Sequence, residues 1–175
     1  MDASPGFPFM LVAKSNKQLI EQVGAGFLIE LALDRLALIE AAPREAFESW
    51  TAQQCVDAGL VDPIRVFVKN ELHSRKKVEQ GRMRLIMSVS VVDQLVERIL
   101  DGAQNNLEIS KWLTIPSKPG MGLGDEGLYE LAESIASLEQ PTSTDISGFD
   151  WSVKQWMIDL DSQCRARLAG VLEAD

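Results

Sequence analysis

Two aspartates and an island of cations are the residues whose types and spacing suit chemistry in this sequence. Asp145 and Asp150 stand five residues apart in Thr144-Asp145-Ile146-Ser147-Gly148-Phe149-Asp150-Trp151-Ser152-Val153. The stretch reads as a short strand ending at Asp145, a tight Ser-Gly turn, and a helix starting near Asp150. Val153, Trp156, Met157, Leu160, Cys164 and Leu168 recur at helical spacing and give that helix one apolar face. Asp150 or Ser152 suits its N-cap. A carboxylate at the end of a strand stands where open α/β sheets bind ligands. Such a pair suits Mg²⁺, a hard cation that takes oxygen donors and shares them with phosphates. The plainer alternative is a turn followed by an N-cap, which Asp, Ser and Gly make at such junctions.

The cations lie upstream. Between Arg65 and Arg84 there are seven basic residues (Arg65, Lys69, Arg75, Lys76, Lys77, Arg82, Arg84) and two acidic ones (Glu71, Glu79), a local balance of +5. The whole chain carries −9 at pH 7, so the remainder holds −14. The overall charge argues against general adhesion to nucleic acid, whereas a basic island in an acidic protein suggests a focused anion site. A third element opens the chain: Ser4-Pro5-Gly6-Phe7-Pro8-Phe9 reads as a rigid loop, with two prolines fixing φ and Gly6 permitting a close backbone approach.

The elements that must position these groups follow from pattern. Leu19, Ile20, Val23, Phe27, Leu31 and Leu38 predict a helix from Leu19 to Leu38 that runs through Gly24 and Gly26. Pro43 suits the first turn of a second helix, passing Phe47 and Trp50 towards Cys55 and ended by Gly59. Ile64, Val66 and Val68 alternate with Arg65, Phe67 and Lys69 as in a strand. Residues 70–81 read as a loop, and 82–87 as a second strand, making a finger with cations on one face. Its plain alternative is a solvated hairpin with salt bridges to Glu71 and Glu79. Ser90-Val91-Val92-Asp93 resembles a capping box, opening a helix that buries Val92, Leu95, Val96, Ile99 and Leu100 and is interrupted or ended at Asn105. Pro116, Pro119, Gly120, Gly122 and Gly124 make residues 112–124 a structured loop. Asp125 then caps a helix through Leu128, Leu131, Ile135 and Leu138.

Composition bounds the class. The 175 residues are 46% hydrophobic and 25% charged, as in an ordinary globular domain with a real core. No apolar run is long enough for a membrane span, and the opening lacks the pattern of a secretory signal. Cys55 and Cys164 are too few and too distant for a disulfide framework or zinc site, which points to a reducing compartment. The single histidine, His73, has no partner pattern for a catalytic triad and reads as a polar loop residue.

Together the three features suit phosphoryl transfer, which needs positioning and electrostatics more than a covalent nucleophile. The order of blocks Ser-Pro-Gly-Phe-Pro, Asp-Pro-Ile-Arg-Val-Phe-Val-Lys-Asn-Glu-Leu-His, Gly-Arg-Met-Arg-Leu-Ile-Met-Ser-Val-Ser-Val-Val-Asp-Gln-Leu-Val, Ile-Pro-Ser-Lys-Pro-Gly-Met-Gly-Leu and Asp-Ile-Ser-Gly-Phe-Asp-Trp-Ser-Val closely resembles the RNA-dependent RNA polymerases of positive-strand RNA viruses, and among them those of sobemoviruses, poleroviruses and barnaviruses. The resemblance covers nearly the whole chain. It implies an α/β (α+β), mainly helical fold: the fingers and partial palm of a right-hand polymerase, with fingers elements over 1–88 and the transition to the palm over 89–175. Ser4, Gly6 and Pro8 match motif G along the template path. Lys69, Arg82 and Arg84 match motif F, which contacts the triphosphate; Lys76 and Lys77 match less well. Asp145 matches the metal-binding aspartate of motif A, Ile146 would offer its carbonyl to a metal, and Asp150 matches the aspartate that senses the ribose 2′-hydroxyl.

The same resemblance implies Mg²⁺ or Mn²⁺ as cofactor. It also implies an RNA template and nascent strand, nucleoside triphosphates, the remainder of a polymerase and other viral replication proteins as partners. It implies the host cytoplasm, at membrane-associated replication complexes, as location. The patterns of motifs B and C, including the Gly-Asp-Asp hairpin, do not occur, so the sequence corresponds to the leading part of such an enzyme. A two-metal site needs carboxylates from both motifs A and C, and this chain alone is not expected to polymerise RNA. An incomplete palm is also expected to expose apolar surface and a sheet edge. Two alternatives differ in class. A haloacid-dehalogenase-like phosphatase is faintly similar at Asp-x-Ser-Gly, but Ser147 stands where that family has its second aspartate. A non-catalytic RNA-binding fragment would use the Arg65–Arg84 finger.

Overall fold

The structure is a computed structural model that describes residues 3–122 and 124–170, apart from the side chain of Asp150. The chain forms two compact units, residues 1–100 and 101–175. Among the described residues it is mainly helical with one two-stranded sheet, consistent with the expected α/β class. Among the described residues no helix is long and apolar enough to cross a membrane.

In the first unit a 3₁₀ turn at Phe9–Leu11 precedes α1 (Asn16–Val23). The Ser15 hydroxyl caps α1 by accepting from the Gln18 N–H at 3.3 Å. The expected single helix from Leu19 to Leu38 is two helices. Gly24 takes φ +83°, outside helical space, so the chain turns there and restarts as α2 (Ala25–Ala41). Next come α3 (Glu45–Glu48) and α4 (Ala52–Asp57), where one helix was expected. Thr51 and Gln54 make a reciprocal capping box that starts α4 afresh. Gly59, at φ +73°, follows its end.

Strands β1 (Arg65–Val68) and β2 (Leu85–Ser88) pair antiparallel, Arg65 opposite Ser88 and Val68 opposite Leu85. Between them lies a short helix, α5 (Arg75–Glu79), where a loop was expected. Ser74 caps it through the Lys77 N–H. The long helix α6 (Val91–Ser110) runs past Asn105 without interruption. The core of this unit centres on Ala13, Leu19 and Leu28, flanked by Phe9, Ile20, Val23, Val91 and Leu95. Val92 and Val96 are buried as expected, whereas Ile99 and Leu100 are exposed.

In the second unit Lys118 closes the turn over residues 112–118. Its ammonium donates to the carbonyls of Trp112, Leu113 and Ile115 at 3.0–3.1 Å. Helix α7 (Asp125–Ala136) has Gly124 at its N-cap, with Asp125 inside the first turn instead of capping it. The expected helix through Val153 to Leu168 is split into α8 (Phe149–Ser152) and α9 (Gln155–Leu168), with Val153 and Lys154 between them. Lys154 holds the N-cap position of α9 without a side-chain cap, and the Ser152 hydroxyl donates to the Phe149 carbonyl instead. The Asp150 backbone lies in α8; its side chain falls outside the described residues.

Candidate phosphate-binding and metal-binding residues

The basic finger is built on the β1–β2 register. One step beyond the paired strands, the Lys69 N–H donates to the Arg84 carbonyl at 2.8 Å, so Lys69 and Arg84 stand opposite one another. Side chains alternate along a strand, so Arg65, Phe67 and Lys69 share a face with Arg84, Ile86 and Ser88. Arg65 lies over the Phe67 ring at 4.6 Å. The opposite face carries Val66, Val68, Leu85 and Met87, all exposed. Arg82 precedes the ladder, its N–H turned back to the Lys77 carbonyl. Among the described residues the side chains of Arg82, Lys76 and Lys77 make no hydrogen bond or ion pair.

Glu71 joins the two opposed cations. Its carboxylate accepts from Lys69 Nζ at 2.7 Å and from Arg84 Nη1 at 3.2 and 3.4 Å. The Lys69 hydrogen bond, helped by the charges of Arg84 and Lys69 against a smaller desolvation effect, holds the Glu71 carboxyl below its ordinary range. Arg75 pairs with Glu79 at 2.8 Å along α5. The salt bridges of a solvated hairpin are therefore present alongside free cations. His73 is a loop residue whose Nε2 lies 3.2 Å from the Lys69 carbonyl.

The opening loop is held on the start of α6. The Pro5 carbonyl accepts from the Val91 N–H at 2.8 Å, satisfying a donor that a helix start leaves open. Pro5 and Ser90 are fully buried there. Gly6 has φ +72°, and a Cβ on it would overlap the Val89 carbonyl and Ser90 Cα. Its N–H donates to the Ser4 hydroxyl at 3.3 Å, and the Phe7–Pro8 peptide is cis. Ser4, Gly6 and Pro8 therefore stand in one loop that Pro5 and Gly6 hold against the β2–α6 junction.

The segment carrying Asp145 differs from expectation. Residues 141–146 form no strand. A strand exists through hydrogen bonds to a neighbour, and among the described residues nothing pairs with this one. Asp145 and Ile146 are exposed on irregular backbone. Gly148, in the left-handed conformation at φ +67°, supplies the tight turn into α8. The Asp145 carboxylate and Ile146 carbonyl are hard oxygen donors of the kind Mg²⁺ takes. No group of three His, Cys, Asp or Glu able to hold a metal occurs among the described residues. The donors present fit the chemistry of the ion but are too few to retain it by themselves.

Sequence reasoning missed a part-buried charge network. Arg35 of α2 donates to Asp93 Oδ1 at 2.6 Å and Asp62 Oδ1 at 3.0 Å, while the Asp62 N–H donates to Asp93 Oδ2 at 2.9 Å. The three side chains are 12–16% exposed. Asp93 is thus committed to Arg35 and Asp62 instead of reaching back to Ser90 as a capping box requires; Ser90 alone caps, accepting from the Val92 N–H at 3.3 Å. The available signal was that Arg35 is the sole cation in the seventeen residues of α2.

A family model described as viral RNA-directed RNA-polymerase matches residues 8–127. The chain is 47% identical over 173 residues to the replicase polyprotein P2AB of Cocksfoot mottle virus, covering 96% of this chain and 18% of that protein. It is 42% identical over 172 residues to the RNA-directed RNA polymerase of Mushroom bacilliform virus, covering 97% of this chain and 40% of that one. It is 45% identical over 156 residues to protein P1-P2 of Potato leafroll virus, covering 81% and 14%. The chain thus spans well under half the length of these relatives. No solved structure matches it. On the strength of the match over 8–127, the chain belongs to the viral RNA-directed RNA polymerase family.

Proposed function

We propose that the chain is the fingers and the start of the palm of a right-hand RNA polymerase, and that it handles nucleotide and template for two-metal nucleotidyl transfer. The observation that carries this reading is the opposed pair of Lys69 and Arg84, in a chain of this family, on a face shared with Arg65. Lys69, Arg84 and the unengaged Arg82 are the triphosphate contacts. The turn holding Ser4, Gly6 and Pro8 lines the template path. Asp145 and the Ile146 carbonyl are metal donors, and Asp150 selects ribonucleotides. When bound, Mg²⁺ or Mn²⁺ stabilises charge on the transferring phosphoryl group. Further carboxylates come from the polymerase sequence that the longer relatives carry. RNA template, nascent strand and nucleoside triphosphates are the substrates. Other viral replication proteins are partners, at membrane-associated complexes in the host cytoplasm.

The test uses a longer polymerase polypeptide containing this segment. Asp145→Asn is expected to lower template-dependent incorporation by about 10³-fold, the scale of losing a key electrostatic group. Lys69→Ala is expected to act chiefly through the KM for nucleotide. Unchanged incorporation with Asp145→Asn would defeat the reading. The isolated 175-residue chain is expected to show no incorporation.

A second reading, RNA binding without chemistry, draws on the exposed Lys76, Lys77 and Arg82. Salt-sensitive RNA binding that ignores both nucleotide and Mg²⁺ would favour it.

A further inference from the structure

We infer that Glu71 sets the affinity of the triphosphate site: its carboxylate occupies the Lys69–Arg84 pair when no nucleotide is bound, and an incoming triphosphate displaces it. This rests on the reading of Lys69 and Arg84 as triphosphate contacts.

The geometry is that of one anion standing in for another. Lys69 and Arg84 face each other across the ladder, and like charges placed so are mutually destabilising. Glu71 stands two residues beyond Lys69, and its N–H turns back to the Lys69 carbonyl at 3.0 Å, holding it close to the pair. One carboxylate oxygen takes the ammonium at 2.7 Å; the guanidinium Nη1 lies 3.2 Å from the other. Phosphate oxygens accept from Lys and Arg in the same way.

The cations remain accessible to a competitor, with Lys69 38% and Arg84 63% exposed. Exposed ion pairs are weak and exchange readily with a better anion. A triphosphate, with more charge and more acceptor oxygens, is that better anion. Glu71 therefore acts twice: it keeps two like charges side by side in the free chain, and it opposes the ligand. A residue that merely supported the fold would weaken binding on removal, whereas a resident competitor strengthens it.

The test titrates inorganic tripolyphosphate, without divalent cation, into the 175-residue chain and three sets of variants. Glu71→Gln keeps size and removes the charge. It is expected to tighten binding about fivefold at low ionic strength, with the gain shrinking as salt screens it. Glu71→Asp, which retains the carboxylate, stays near the parent chain. Lys69→Ala and Arg84→Ala weaken binding.

If the cation variants weaken binding while Glu71→Gln leaves it unchanged or weaker at an unaltered melting temperature, the inference is overturned and the triphosphate site stands. If Lys69→Ala and Arg84→Ala leave binding unchanged, the reading of the site itself falls. An equal gain in Glu71→Gln for single-stranded RNA lacking a terminal triphosphate would assign the pair to backbone phosphate and overturn the triphosphate assignment.

Discussion

Arg35 faces two carboxylates with a single positive charge, and all three side chains are largely withdrawn from water. Asp62 Oδ2 is buried with no hydrogen-bond partner among the described residues. Breaking one partner out of such a group leaves uncompensated charge with little access to water. Arg35→Met is therefore expected to destabilise the first unit by about 3–5 kcal/mol, read from denaturant unfolding. Desolvation raises the Asp93 carboxyl above its ordinary value, and the Asp62 charge adds to this; the Asp62 N–H and Arg35 oppose it. The folded chain then holds that proton more tightly than the unfolded chain does. Its contribution is fully present below the ordinary aspartate range and is lost as pH rises through the elevated folded value. Asp93→Asn should flatten this part of the stability–pH curve, and a curve of unchanged slope would contradict the assignment.

Among the elements, the opening loop and the start of α6 depend on one another. The Pro5 carbonyl serves the first turn of α6, and Gly6 lets the backbones meet. Gly6→Ala meets both a positive φ and the Val89 carbonyl. It is expected to cost more than about 1 kcal/mol and to accelerate hydrogen exchange at the Val91 amide, whose acceptor it displaces. Protection of Val91 equal to that of the parent chain would show that the loop is not held this way. The 141–146 segment illustrates the opposite condition. Its composition suits a strand, but strand formation is a property of a pair, and Asp145 stays on irregular backbone without one.

For the whole molecule, the distribution of burial separates the two units. Among the described residues, every buried hydrophobic one belongs to the first. In the second, Gly127 is the one buried residue among those described, and Trp156, Ile158, Leu160 and Leu168 of α9 are exposed. Trp151 is 68% and Trp156 63% exposed. Exposed apolar surface on this scale favours association. Sedimentation is expected to show mass rising with concentration, reduced by combined Trp151→Ser and Trp156→Ser. A sharply monomeric chain that melts in one cooperative step would count against this.

What the sequence by itself determined was local or ordered along the chain. The β1–β2 finger follows from alternation at Ile64–Lys69, and the tight turn at Gly148 from Ser-Gly. The start of α6 follows from Ser90, and family membership from blocks in a fixed order. Each depends on neighbours within a few residues or on pattern alone. Tertiary structure decided what depends on distant partners. Arg35 finds Asp62 and Asp93, twenty-seven and fifty-eight residues away. Pro5 finds Val91, and Glu71 takes both Lys69 and Arg84 once the ladder sets them face to face. The segment before Asp145 forms no strand for the same reason: an aspartate after β-forming residues marks a strand end only where a second strand supplies the hydrogen bonds.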